Sequence, residues 1–372
     1  MSLVLTEEQS LLRDTARAFF AERAPVSHLR HLRDASDPDG FSRDLWREAA
    51  EMGFAGLLLP EEAGGTGLGH AEAAIVMEEI GRNLTLLPLL STAIVAATAL
   101  KRAGGPKAAD LLARAASGES IVALAVDEGL KHAPRRIALQ ARRTGNGFTL
   151  DGAKTFVIDG HVADVLIVAA RTDNGLTLFL VDPKAPGVTV ERTVMVDSHN
   201  AARIAFDGVQ LDADAVLGEV DSGGAVLDAA LDAGRIAVAA ELLGCAEEAF
   251  TRTVAYLKER RQFDRLIGEF QSLQHRAAHL FSELEVSRAA VAKAAQALDL
   301  DGDRASPFVS MAKARACMAA DLAVREAVQL HGGMGMTDAL DIGFFMKRAR
   351  VLAELFGDAN FHADRVAVLH GY

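Results

Sequence analysis

The hydrophobic period of this chain changes twice, and the two changes limit its fold. From residue 5 to about 120, apolar residues recur at helical spacing. From Ser120 to Leu217 they come as short runs bounded by Gly, Pro, Asn and Asp, and after Gly218 the helical spacing returns and persists to the end. Helices, then strands, then helices leave no strand–helix alternation. That excludes a doubly wound sheet of the nicotinamide-binding kind and predicts an α+β chain, mostly α. The expected segments are a helical domain over residues 1–120, an antiparallel β domain over 121–217 and a four-helix domain over 218–372.

Local signals fill in these segments. Thr6, with Glu8 and Gln9 behind it, reads as an N-cap ahead of Leu11, Leu12, Ala16, Phe19 and Phe20. Ser42 caps a second helix running through Leu45, Trp46, Ala49 and Met52 to Gly53. Strands are expected at Ile121–Leu124, Val165–Ala169, Leu176–Val181, Val188–Val190 and Arg203–Phe206. Asn146-Gly147 and Asp151-Gly152 read as hairpin turns on either side of Phe148–Leu150. In the last part, Val226–Leu257 is one long helix and a second carries Phe270, Leu273, Ala277, Leu280 and Leu284. Ser306 caps a third with Pro307 at its first position, and Ile342–Leu369 forms the final amphipathic segment. Helices of this length expose wide apolar stripes, which predicts an oligomer.

Composition narrows the function. The formal charge of −12 opposes binding to a phosphate backbone, and no basic face is visible, so nucleic acid is excluded as a partner. Only 5% of the residues are aromatic, so burial rests on helix packing against helix. Cys245 and Cys317 lie in separate helical patterns without metal-ligand spacing, which predicts reduced thiols and no metal. The chain opens on an acid-rich amphipathic segment rather than a signal sequence, and the least polar run, Leu84–Leu100, contains Asn, Thr, Ser and Pro. No membrane span is expected, and a cytoplasmic protein is.

Three stretches carry the chemistry. Lys258–Gln271, KERRQFDRLIGEFQ, joins two long helices and puts Arg260 and Arg261 beside Phe263 at a helix end. A guanidinium fork grips phosphate oxygens and an aromatic face lies against a planar ring, so the set suits a diphosphate carrying a ring. It would equally complement the helix's own dipole. Leu57–Gly69, LLLPEEAGGTGLG, is glycine-rich but lacks the Lys-Ser/Thr of a phosphate loop, and reads as a tight connection. Gln329–Gly335, QLHGGMG, ends a helix in two glycines whose backbone amides can approach phosphate closely.

The wording of these stretches resembles the acyl-CoA dehydrogenase family over essentially the whole chain. Asp264 stands where the family's arginine motif has Gly. The resemblance implies FAD bound between subunits and alpha,beta-desaturation of an acyl-CoA thioester, a step of lipid metabolism. It requires a carboxylate base, hydrogen-bond donors on the thioester carbonyl and hydride transfer to the flavin. It also implies that Arg260, Gln262, Phe263, Gln329, Gly332 and Gly333 face the diphosphate and adenine half of a neighbouring subunit's FAD. Asp232 and Arg235, matching the family's D-x-x-R, would lie along the acyl or CoA channel, and an electron-transfer flavoprotein would accept the electrons.

Other family features are missing. The T-E-P-x-x-G-S-D stretch beside the flavin falls on Ala123–Arg135, ALAVDEGLKHAPR, without its Thr or its Gly-Ser-Asp. In the ring-facing stretch that follows Lys154, Phe156 stands at the tryptophan's position and Ile158 replaces the hydroxyl. The two family positions for the catalytic glutamate hold Arg261 and Gly357. Asp358 is the candidate for a relocated base, although an acid there also reads as a helix-end residue.

The pattern predicts a subunit that completes a related partner's FAD site in a hetero-oligomer. The alternatives are a self-sufficient homo-oligomeric dehydrogenase with a relocated base, another flavin oxidation on the same scaffold, and a non-catalytic scaffold.

Overall fold

A computed structural model describes residues 3–372, the side chain of Asp303 excepted. Helix α1 (Glu7–Arg23) starts in a full capping box: Thr6 Oγ1 accepts from Gln9 N, and Gln9 Oε1 accepts from Thr6 N, each at 3.1 Å. There follow α2 (Val26–Asp34), α3 (Arg43–Glu51, capped by Ser42) and α4 (His70–Asn83). A π-helical stretch (Leu89–Ala96) leads into α5 (Ala97–Ala103), and α6 (Pro106–Ala116) completes this part.

The strands are β1 (Val122–Ala125), β2 (Gln140–Thr144), β3 (Gly147–Ile158), β4 (Val165–Arg171), β5 (Leu176–Val181), β6 (Val188–Val194), β7 (Asn200–Leu211) and β8 (Val216–Leu217). They form one sheet in the order β6-β7-β3-β2-β4-β5-β8, with β1 beside β4. Pairing is mostly antiparallel, as expected, but β1 joins β4 in parallel, and so does the end of β2. Alternate residues of β3, β4, β5 and β7 meet in a core that includes Phe148, Leu150, Val168, Phe179 and Ile204. The Phe148 and Phe179 rings meet edge to face at 5.1 Å.

Two turn expectations need correction. Thr144 pairs with Gly147, so the hairpin loop is Gly145-Asn146, with Gly145 at φ 60°. Asp151-Gly152 makes no turn. It lies inside the twelve-residue β3, where the register against β7 shifts between Leu150 and Gly152. Gly152 takes φ 142° there, and a Cβ would come within 3.1 Å of the Leu139 backbone, which is how glycine marks a bulge.

The helical part resumes with α7 (Gly224–Glu259). A two-strand hairpin of β9 (Arg261–Gln262) and β10 (Arg265–Leu266) follows, then α8 (Gln271–Asp301) and α9 (Ser306–Leu330). Ser306 is the first helical residue rather than the cap, and its hydroxyl accepts from Arg365 Nη2 at 3.1 Å. The last segment is two helices, α10 (Ile342–Glu354) and α11 (Ala359–Leu369), because Phe356 and Gly357 adopt φ 56° and 109°.

By internal packing the chain forms two compact units. One contains the chain up to His31, His70–Thr85 and Arg235–Tyr372; the other contains Leu32–Gly69 and Leu86–Gly234. In the first, α4 packs on α1 and α8, and α9 packs on α8, α10 and α11. A Cβ at Gly81 of α4 or Gly244 of α7 would overlap the backbone of the other helix, so these two cross closely. Along α7 every residue from Leu231 to Glu247 is buried, which explains its lack of a polar face. In the second unit the π-helical stretch packs on β1, and α5 on α6.

Candidate cofactor-facing site

The end of α7 turns into a strained hairpin. Phe263 and Asp264 occupy the loop between β9 and β10 with φ of 54° and 62°, the pair of positive values that a type I′ turn requires. This accounts for the glycine usual in the motif at the position of Asp264. An aromatic residue held at positive φ costs about 1–3 kcal/mol. Here it places the Phe263 ring 85% exposed, beside the exposed side chains of Arg260, Arg261 and Gln262. Ile267 N donates to Arg260 O at 2.9 Å and closes the base of the hairpin.

The end of α9 lies beside it in the same unit. His331 caps α9, its Nδ1 lies 2.7 Å from Ala327 O, and its ring stacks on Tyr256 of α7 at 4.4 Å and 30°. Burial lowers the pKa of this imidazole, with the bond to the Ala327 carbonyl opposing the shift. Beyond it Gly332 and Gly333 are exposed, and a Cβ at either would meet open space. The stack thus draws together two of the stretches singled out in the sequence, Arg260–Phe263 and Gln329–Gly333. The first leaves exposed guanidinium donors and the Phe263 ring, and the second exposed backbone at Gly332 and Gly333, groups that suit a diphosphate and a planar ring.

A second group surrounds the break between α10 and α11. Gly357 sits over the Phe361 ring so closely that a Cβ would overlap it. Asp358 caps α11, its Oδ1 accepting from Phe361 N at 2.8 Å. Two buried basic side chains hold the loop. Arg235, 1% exposed, donates from Nε to Phe356 O at 3.2 Å. Lys313, fully buried, donates from Nζ to the carbonyls of Leu352 (3.1 Å), Ala353 (3.3 Å) and Gly357 (3.1 Å), and lies 3.2 Å from Cys317 Sγ. Burial pushes this amine down, with Cys317 opposing the shift. A buried amine at the C-terminus of α10 satisfies carbonyls that the helix cannot. Sequence reading missed Lys313, because one lysine in a long helix reads as a solvated residue. Asp232, also buried, lies one turn before Arg235 on α7.

The third group belongs to the β unit, where the loop after β1 is bound to itself. Asp127 Oδ2 lies 2.9 Å from His132 Nδ1, and Asp127 Oδ1 accepts from Ala133 N at 3.2 Å. Glu128 accepts from Ala138 N (2.7 Å), Leu139 N (3.0 Å) and Lys154 Nζ (2.7 Å). Lys154 also donates to Val126 O at 3.0 Å, and Thr155 N to Asp127 O at 2.7 Å. Desolvation lowers the Lys154 amine to about 8, with Glu128 opposing the shift. Phe156 follows at φ 52°, half exposed at a second bulge of β3, with Ile158 two residues on. Asp127 and Glu128 are already engaged within the loop, and Ile158 brings no hydroxyl. These residues do not fit an isoalloxazine ring as well as the helix ends fit a nucleotide.

Helices, a largely antiparallel sheet and long helices again make up the architecture that the resemblance in the sequence implied. Sequence models of the family match in three blocks: "Acyl-CoA dehydrogenase, N-terminal domain" over 6–119, the middle domain over 128–209 and the C-terminal domain over 221–368. The chain belongs to the acyl-CoA dehydrogenase family.

The chain is 31% identical to a 3-(aryl)acrylate reductase of Clostridium sporogenes, over 94% of this chain and 95% of that protein. Among solved structures it resembles the "Tcur3481-Tcur3483 steroid ACAD G363A variant" with TM-score 0.90 and 32% identity, over 98% of both chains. It also resembles the ChsE4-ChsE5 complex of Mycobacterium tuberculosis with TM-score 0.89 and 28% identity, over all of both chains. Among the described residues no helix is long and apolar enough to cross a membrane, and no cluster of His, Cys, Asp and Glu could hold a metal ion.

Proposed function

We infer that this chain is the subunit of a heteromeric acyl-CoA dehydrogenase that completes the FAD site of a related, flavin-bearing partner. The observation that carries this reading is a contrast. The groups suited to adenine and diphosphate stand exposed at the ends of α7 and α9, whereas Asp127 and Glu128, in the segment expected beside the flavin ring, are bonded within their own loop. In this role Arg260, Gln262, Phe263, Gln329, Gly332 and Gly333 hold the nucleotide half of the partner's FAD. That FAD, when bound, supplies the hydride acceptor for alpha,beta-desaturation. Arg235 and Asp232 serve by shaping the buried start of α7 toward the acyl or CoA channel.

The lack of a base supports the same division of labour. Arg261 and Gly357 occupy the two family positions, and Asp358 is committed to capping α11. Two of the similar structures are named as pairs of components, one of them a steroid acyl-CoA dehydrogenase, which supports a hetero-oligomer and makes a steroid-bearing acyl-CoA the first substrate class to assay. An electron-transfer flavoprotein as acceptor, a cytoplasmic location and domain limits at 120 and 217 complete the proposal.

The test is co-expression with flavin-bearing relatives from the same genome, followed by co-purification and assay on acyl-CoA substrates. Activity is expected only in a mixed assembly containing both chains. Equal turnover by the partner without this chain would refute the assignment.

A further inference from the structure

In the first unit, between α1, α4, α7 and α8, lies a cavity of about 350 Å³, within the size range of small-ligand sites. Leu5, Ile75, Leu243 and Val291 give it an apolar floor, and Arg13 and Arg17, one turn apart on α1, stand on its lining. None of these residues belongs to the groups described above.

Four arginines and two glutamates line the cavity, and each arginine has a carboxylate partner. Arg17 is held by Glu79 at 2.7 Å, a glutamate that is 1% exposed. Arg82 and Arg288 each reach Glu78 at 3.1 Å, and both also pair with Glu247. Arg288 also lies 3.5 Å from Glu285, so these three arginines meet four carboxylates. Arg13 is bound at 2.9 Å to Asp14, its sequence neighbour, which is 64% exposed. Such a solvated pair contributes little and exchanges readily for another carboxylate.

We propose that this cavity is a second ligand site, taking an amphipathic monocarboxylate whose apolar body lies on Leu5, Ile75, Leu243 and Val291 and whose carboxylate is forked by Arg13. The ligand's carboxylate would replace Asp14 on Arg13, one carboxylate for another, so a monoanion leaves the charge balance there unchanged and a phosphate dianion would not. The apolar floor requires a hydrocarbon body, because a small anion would leave that surface wet. The proposal does not rest on the FAD reading.

Calorimetry of the purified full chain with octanoate tests it, with acetate, octan-1-ol and inorganic phosphate as comparison ligands. One octanoate per chain is expected, with each comparison ligand binding about tenfold more weakly or worse. Arg13→Ala, at a partly exposed helix position, should weaken octanoate about tenfold or more while the melting temperature stays put. Ala74→Phe, which fills the cavity, should abolish binding. No octanoate binding, octanol or phosphate binding as tightly as octanoate, or an unchanged affinity in Arg13→Ala would each overturn the proposal. The flavin content of a mixed assembly should be the same in Arg13→Ala, so failure here and failure of the subunit role read out separately.

Discussion

The imidazole of His331 stacks on the ring of Tyr256 at 4.4 Å, and this contact ties the end of α9 to the last turns of α7. Arg260 lies one turn beyond Tyr256, and Gly332 and Gly333 directly follow His331. His331→Leu removes the aromatic pair, worth about 0.5–1.5 kcal/mol, and should loosen FAD held by the mixed assembly about twofold to tenfold. His331→Phe keeps the stack and should retain more of the affinity. Arg260→Met deletes a charge-assisted contact of about 1.5–3 kcal/mol and should weaken FAD about tenfold to a hundredfold. Equilibrium dialysis of FAD against the assembly measures all three variants. Unchanged retention in Arg260→Met would remove that residue from the nucleotide surface.

An acid does not fit at the second family position for the base. Gly357 holds φ 109° and packs on Phe361, so Gly357→Glu forces a strained backbone and displaces the ring. The variant should lose about 1–3 kcal/mol of stability in denaturant titration and gain no dehydrogenase activity on its own. Turnover by Gly357→Glu alone would show that the missing glutamate is the only defect in an otherwise complete site.

Lys154 gives a pH signature of the closed loop in the β unit. Its amine has a pKa of about 8 in the folded chain against 10.5 when unfolded. Between those values the unfolded chain binds more protons, so this group's contribution to stability rises as pH increases from 8 to 10.5. Wild type should therefore gain stability relative to Lys154→Met across that window. A difference that stays flat would mean that the amine is not desolvated against Val126 and Glu128.

The period changes made the three-part fold legible, since helical and strand spacings are separable even in a single sequence. Strand β2 was missed because Gln140–Thr144 reads QARRT, and an outward charged strand has the composition of a loop. Asp151-Gly152 signals a turn or a bulge with the same letters, and only the register against β7 distinguishes them. The break at Phe356 was hidden because a non-glycine residue seldom takes positive φ. Motif wording marked the ends of α7 and α9. The Tyr256–His331 stack, the buried Lys313 and the self-bonded Asp127–Lys154 loop arise from contacts between distant segments and have no local sequence signal.

The most direct measurement is the flavin-to-protein ratio of the chain purified alone, read from the visible absorbance spectrum after FAD is supplied during expression. A ratio near zero is expected, rising only when the flavin-bearing partner is co-purified. A full equivalent of FAD on this chain in isolation, together with turnover of an acyl-CoA, would contradict the subunit role.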